Sequence, residues 1–284
     1  MTQSSPGLLY VVATPIGNLG DMSARARRTL AEVDHVLAED TRAGRRLLTH
    51  FGIEARLSAL HEHNEAQRIG QCLEWLRAGQ HLALICDAGT PLVNDPGYRL
   101  VAAAHEAGVR VSPAPGACSP IAALSVSGLP TDRFVYEGFL PARATARLER
   151  LRALESERRT LVFLEASHRI QATLHALAEV WPDRPLALAK ELTKIHEAVL
   201  SGTAQQLLDW IQADPARAKG EFVLMAAGAE AVPAAVGGLD TDTLLRVLME
   251  ELPTAKAAKL AAKLTGLERK TLYRQALQMS IRDA

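Results

Sequence analysis

Four short segments of this chain place acids, hydroxyls and cations where an apolar run stops. They are Asp87-Ala88-Gly89-Thr90-Pro91, Glu39-Asp40-Thr41-Arg42, Glu165-Ala166-Ser167-His168-Arg169 and Glu191-Leu192-Thr193-Lys194-Ile195-His196-Glu197. Carboxylates accept hydrogen bonds and take protons, guanidinium groups hold phosphates, and imidazole changes role with pH. The segment at Asp87 is the most telling, because Leu84-Ile85-Cys86 reads as a buried strand running into a loop that contains Gly89, Pro91, Pro96 and Gly97. That puts a carboxylate and a turn of restricted φ at the carboxyl end of a strand, where α/β sheets bind ligands.

Each segment also has a plainer reading. Asp40 or Thr41 suits a helix cap with Arg42 paired locally, and Arg169 suits a helix-end partner. The loop Ala13-Thr14-Pro15-Ile16-Gly17-Asn18 is neither Gly-x-Gly-x-x-Gly nor a Walker loop, so a tight structural turn satisfies it. Ala114-Pro115-Gly116-Ala117-Cys118-Ser119-Pro120 offers small residues that either a ligand or close helix-to-sheet packing requires.

The elements that position these loops are legible as apolar runs at 8–13, 33–38, 81–86, 109–112, 133–139, 160–164, 185–189 and 221–227. Amphipathic stretches of helical period lie between most of them, at 65–78, 97–107, 167–180 and 203–213. Alternation of this kind predicts an α/β chain with largely parallel sheets. A turn cluster at 127–132 divides the strands into an N-terminal domain, 1–129, and a second domain, 130–232. Beyond an Ala, Gly and Pro-rich break at 228–238, residues 239–284 read as a small helical module with helices at 241–252, 254–264 and 268–278.

Lys and Arg number 32, as do Asp and Glu, so net charge gives no hint of a nucleic-acid partner. The tail differs: Lys256, Lys259, Lys263, Arg269, Lys270 and Arg274 meet only Glu268 across the last two helices. Spacings of three and four put the first three lysines on one face, able to track phosphates or to be solvated. Arg143, Arg147, Arg150 and Arg152 form a second basic stretch, readable as an RNA rim or as a salt-bridged surface helix. Cys72, Cys86 and Cys118 form no Cys-x-x-Cys pair, 1–7 is too short and polar for a signal peptide, and no apolar run is long enough to span a membrane. The expectation is a soluble cytoplasmic protein.

The ordered segments 10–18, 38–42, 86–91, 163–170, 190–197 and 219–223 resemble the tetrapyrrole-methylase superfamily. They resemble most its branch that methylates the 2′-hydroxyl of a cytidine in 16S rRNA, in the decoding centre of the small ribosomal subunit. Ala166-Ser167 departs from the Glu-Ser-Pro-His-Arg more usual there, leaving the loop without its proline. The resemblance implies two αβα domains flanking an S-adenosylmethionine cleft, in a homodimer. It places Asp87, Ala88, Gly89, Thr90, Pro91 and Val93 at the methionine and ribose end, with Cys118 and Ser119 close by and Thr14 and Pro15 as floor. Leu164, Leu192, Gly220 and Glu221 would surround the adenine. A methyl donor activated by its own positive charge needs no metal. Glu39, Asp40, His61, Glu165, His168 and Lys194 are the candidates to orient or deprotonate the ribose hydroxyl or to steady the alkoxide, with Asp40 or Glu165 preferred for the proton. Arg42, His168 and Arg169, with Lys256, Lys259, Lys263, Lys270 and Arg274 of the tail, would hold the RNA. A small-molecule methyltransferase and a non-catalytic RNA-binding assembly factor are the competing readings; the first has no use for a basic tail.

Overall fold

The computed structural model describes residues 6–230 and 241–282. Residues 1–5, 231–240 and 283–284 lie outside the described residues, and with them most of the expected break at 228–238, the domain limits at 232 and 239, and much of the stretch weighed as a signal peptide. The chain divides into two compact units, one of 1–155 with 159–227, the other of 156–158 with 228–284.

Apolar runs bounded by loops build a first sheet in the larger unit from β1 (Leu9–Val12), β2 (His35–Ala38), β3 (Leu57–Ala59), β4 (Leu82–Ile85) and β5 (Val111–Ala114). The order is β3-β2-β4-β1-β5 and every pairing is parallel, with Tyr10 opposite Ala83 and Ser112. β2 and β4 are buried along their whole length, as expected of strands covered on both faces. Helices α1 (Ala24–Glu32) and α2 (Thr41–His50) contribute Ala26, Leu30 and Leu48 to one face of this sheet, with Met22 from the turn before α1. α3 (Glu65–Arg77) and α4 (Tyr98–Glu106) contribute Cys72, Leu76, Leu100 and Ala104 to the other. α5 (Ser119–Val126) follows, and then the chain enters a second sheet.

That sheet orders β6 (Phe134–Phe139), β7 (Thr160–Ala166), β10 (Glu221–Ala226), β8 (Leu186–Lys190) and β9 (Ala198–Gly202) as β6-β7-β10-β8-β9. Here the largely parallel expectation is corrected: β6 and β7 are parallel, but β10 runs antiparallel to both β7 and β8, and β9 antiparallel to β8. The cause at the edge is length. Only 191–197 join β8 to β9, fewer than the dozen or so residues a parallel crossover requires. α6 (Ala144–Ala153), α7 (Ile170–Val180) and α8 (Ala204–Gln212) bury Leu151, Leu174, Leu177, Leu207 and Ile211 against one face of the sheet, around Phe163 and Phe222. On its other face Ala123 and Leu124 of α5 join Val162, Ala187 and Met225.

The smaller unit holds α9 (Thr241–Glu251), α10 (Thr254–Thr265) and α11 (Arg269–Arg282), closed around Leu244, Leu245, Ala258, Ala261, Leu272 and Ala276. Gly266 ends α10 at φ 74°, the left-handed conformation in which glycine carries no Cβ penalty. No helix among the described residues is long and apolar enough to cross a membrane.

Candidate active site

The strand-end loops of both sheets converge on one cavity of about 350 Å3, a size typical of small-molecule sites. Asp87, Ala88 and Val93 enter from the β4 loop and Ser119 from the first turn of α5; Leu164, Glu165, Leu192 and Glu221 come from the second sheet. All eight are residues the sequence singles out. Pro15, Pro91 and Cys118 are not among its lining residues, nor are Thr14, Gly89, Thr90 and Gly220, but these last four hold its walls.

How they do so is visible in the bonding. Thr14 and Gly89 exchange two backbone hydrogen bonds, at 2.8 and 3.1 Å, and the buried Thr14 hydroxyl donates to the Cys86 carbonyl at 3.2 Å. Thr90 Oγ1 donates to the Ala117 carbonyl at 2.9 Å, tying the β4 loop to the one before α5. Gly220, at φ 103°, gives room to Glu191, since a Cβ there would stand 2.5 Å from the Glu191 side chain. Among the described residues the non-glycine positions with positive φ, Leu92, Asn94, Glu191 and Thr193, all fall in two loops of this site. Such strained backbone is held only where surrounding bonds fix it, and it clusters at ligand sites.

Sequence reasoning missed Ile16, Asn94, Asp95, Phe139, Ala166 and Ala189 as lining residues. Asn94-Asp95 runs on directly from the Asp87 loop, which was the available signal. Asn94 Oδ1 accepts from the Tyr136 hydroxyl at 2.7 Å, and Gly138, at an irregularity of β6, leaves room for it, since a Cβ there would stand 2.9 Å from that oxygen. Burial, reinforced by Cys118 and Asp95, pushes that hydroxyl up to about 12. Burial also raises the Asp95 carboxyl above its ordinary range, with the charge of Asp87 adding to it. The neighbouring Glu39 is raised by its own burial and by Asp95 and Asp87.

Asp40 caps α2, accepting from the Arg42 backbone N–H at 2.7 Å, and its other oxygen pairs with the Arg42 guanidinium at 3.0 Å. That hydrogen bond holds Asp40 below the usual carboxylate range. Its backbone N–H donates to Asp87 Oδ1 at 3.2 Å, so the cap abuts the cavity wall. Glu165 is buried and fully engaged: it accepts from Thr173 Oγ1 at 2.5 Å and from the Ala166 N–H at 2.9 Å, and Arg169 Nε stands 3.2 Å away as an ion pair without hydrogen-bond alignment. Arg169 also donates to the Leu140 carbonyl, while His168 is exposed. Lys194 lies between Glu191 at 2.9 Å and Glu221 at 3.1 Å. Burial pulls its ammonium down, but those two carboxylates outweigh it and hold it above its ordinary value. A Cβ on Gly17 would come within 2.4 Å of the Lys194 side chain, so glycine there lets this lysine lie against the β1 loop.

In the basic stretch after β6 two arginines are salt-bridged, Arg150 with Glu137 at 2.5 Å and Arg152 with Glu179 at 3.1 Å, while Arg147 is buried and Arg143 exposed. In the smaller unit Lys256, Lys259, Lys263, Arg269, Lys270 and Arg274 are all exposed.

The profile of the tetrapyrrole (corrin/porphyrin) methylases matches residues 8–208, the whole first sheet and most of the second. The chain belongs to the tetrapyrrole methylase family. A second profile, the RsmI C-terminal HTH domain, matches 235–280. The ribosomal RNA small subunit methyltransferase I of Pseudomonas aeruginosa is 49% identical over 276 residues, 96% of this chain and 98% of that one. The protein of the same name from Xylella fastidiosa, strain Temecula1, is 52% identical over 271 residues, 95% and 99% of the two chains. Among solved structures, a Thermus thermophilus uroporphyrin-III-C-methyltransferase superposes with TM-score 0.54 at 26% identity, covering 78% of this chain and 94% of that one. A diphthine synthase shares the fold at TM-score 0.57 and 16% identity, over 78% and 89% of the chains.

S-adenosylmethionine is the methyl donor of this family, and the cavity fits it. Apolar side chains of Leu164, Leu192, Phe222 and Val223 can flank a purine, and the carboxylates of Asp87 and Asp95 suit a cationic sulfur and an amino group.

Proposed function

We propose that this chain transfers a methyl group from S-adenosylmethionine to the 2′-hydroxyl of a cytidine in 16S rRNA, acting on the small ribosomal subunit. The observation that carries the reading is the near full-length identity of 49 to 52% with enzymes named for that subunit, running through both sheets and the helical tail. The exposed lysines and arginines of α10 and α11 support it, since a small substrate has no use for them. When bound, the cofactor supplies an electrophilic methyl on a positively charged sulfur. The residues around it must align the acceptor oxygen, exclude water and meet the charge that develops.

Lys194 is suited to the last task, because its two acidic partners keep it protonated and it lies beside Glu221 of the cavity wall. It acts as a cation toward the forming alkoxide, not as a base. Glu39 and Asp95, the acids with raised proton affinity beside the cavity, are suited to take the hydroxyl proton. Glu165 positions Arg169 and Thr173, and Asp40 fixes the start of α2 with Arg42. The protein acts in the cytoplasm as a homodimer in this reading. Exposed Ile121, Val126, Phe134 and Val199 supply apolar surface for a second copy.

Replacement separates these roles. Lys194→Ala is expected to lower kcat by about 100-fold, the scale of losing one charge-stabilising donor, with cofactor affinity nearly unchanged. Asp40→Asn and Glu165→Gln are expected to lose folding stability along with activity. Near-normal transfer by all three variants with normal cofactor binding would remove the assignment.

A further inference from the structure

α1 and α2 together carry six arginines, Arg25, Arg27, Arg28, Arg42, Arg45 and Arg46, against one acid, Glu32. In a chain whose charges cancel, that is a strong local segregation. The inner side of α2 accounts for its packing: Leu48 is buried, and Gly44 brings the helix so near the sheet that a Cβ would stand 3.1 Å from Ala38 Cβ and 3.4 Å from Ile85 Cδ1. The outer side carries Arg42, Arg45, Arg46 and Thr49: Arg42 and Thr49 each lie three or four residues from both Arg45 and Arg46, so the four share one face. With Thr41 and His50 they line an open groove of about 590 Å3.

Arg45 and Arg46 are exposed and have no acidic or hydrogen-bonding partner among the described residues, and the same is true of Arg28 on α1. A helix face kept merely for solubility mixes signs at spacings of three and four; α2 has no acid at all in its ten residues. Arg27 stands 5.6 Å over the Phe51 ring at the end of α2, which makes the basic surfaces of the two helices continuous. The other end of the row starts at the cavity, since Asp40, the cap of α2, is hydrogen-bonded to Asp87 of the cavity wall.

We infer that the arginine row of α2, continued by Arg27 and Arg28 of α1, is a docking surface for the phosphate backbone of the substrate RNA, leading a strand toward the cavity mouth. Guanidinium groups suit this use because each can grip a phosphate through two parallel hydrogen bonds. The inference rests on the RNA reading above and concerns a surface in the larger unit, separate from the basic tail.

The test uses the full chain with Arg45 and Arg46 both changed to Ala, and in a second variant both to Lys. Small ribosomal subunits from cells lacking this protein serve as the binding partner. The alanine variant is expected to keep wild-type cofactor affinity by calorimetry and to bind subunits about tenfold more weakly. Its log-log salt slope should be shallower by about 1.5 to 2, the loss of two phosphate contacts. KM for subunits should rise, while kcat at saturation stays within about twofold, and the lysine variant should recover much of the affinity. Equal affinity and equal salt slope for wild type and alanine variant would overturn the docking surface while leaving the function standing. A wild type that methylates no RNA would overturn the function itself.

Discussion

A single acid of the cavity wall, Asp95, shows what burial does to a carboxyl. Asp87 and Asp95 both line the cavity; Asp95 is half-buried and its carboxyl is raised by that burial and by Asp87. A carboxyl that holds its proton more tightly when folded contributes stability below the ordinary carboxylate range and loses it as pH rises through the raised value. Asp95→Asn is therefore expected to raise the melting temperature at pH 7 to 8 and to give no gain near pH 3.5, while weakening S-adenosylmethionine binding. Thermal scans across pH check this; a gain that is the same at both ends contradicts it. Asp87 was legible because a carboxylate followed by Ala-Gly-Thr-Pro after a buried strand has few uses. Asp95 was overlooked although it follows in the same loop, because the burial that raises its carboxyl is made by the fold and leaves no local pattern. Asp40 carried both of its readings in the sequence; the structure shows it as the cap of α2, bonded to Arg42.

At the scale of elements, the long apolar runs announced their strands, since β2 and β4 have no solvent face to interrupt the pattern. β3 and β9 escaped notice: β3 is three residues long and half-buried, and β9 alternates half-buried with exposed positions at a sheet edge. The position of β10 between β7 and β8 was equally hidden, because strand order depends on how crossovers pack and not on any local pattern. Close approach of α2 to its sheet depends on Gly44, whose missing side chain leaves Ala38, Ile85 and Leu57 in contact range. Gly44→Val is expected to cost about 1–3 kcal/mol by overpacking, read as a lower urea midpoint at unchanged slope. A variant as stable as the wild type would mean that α2 can move outward freely.

The whole molecule separates two tasks between its units. One builds a cavity where the loops of two sheets meet; the other carries α10 and α11, whose exposed faces are basic. Lys256, Lys259 and Lys263 are exposed on α10 while Ala257, Ala258 and Ala261 are buried, so neutralising these lysines leaves the module's core intact. Lys256→Ala/Lys259→Ala/Lys263→Ala is expected to weaken subunit binding and to flatten its salt dependence by about 2 to 3 in log-log slope, with cofactor affinity unchanged. An unaltered slope would remove the tail from the RNA contact. The α/β alternation and the helical tail were readable from period and the two αβα layers from the family resemblance, whereas the cavity needed the fold to bring loops more than 100 residues apart together, as with Asp87 and Glu221. The account stands or falls on the product of the reaction. Small subunits from cells lacking this protein, incubated with it and with isotopically labelled S-adenosylmethionine, should gain one methyl group on the 2′-oxygen of a cytidine in 16S rRNA, located by mass mapping of nuclease fragments. Label on a base, on no RNA at all, or on a small molecule in its place would contradict it.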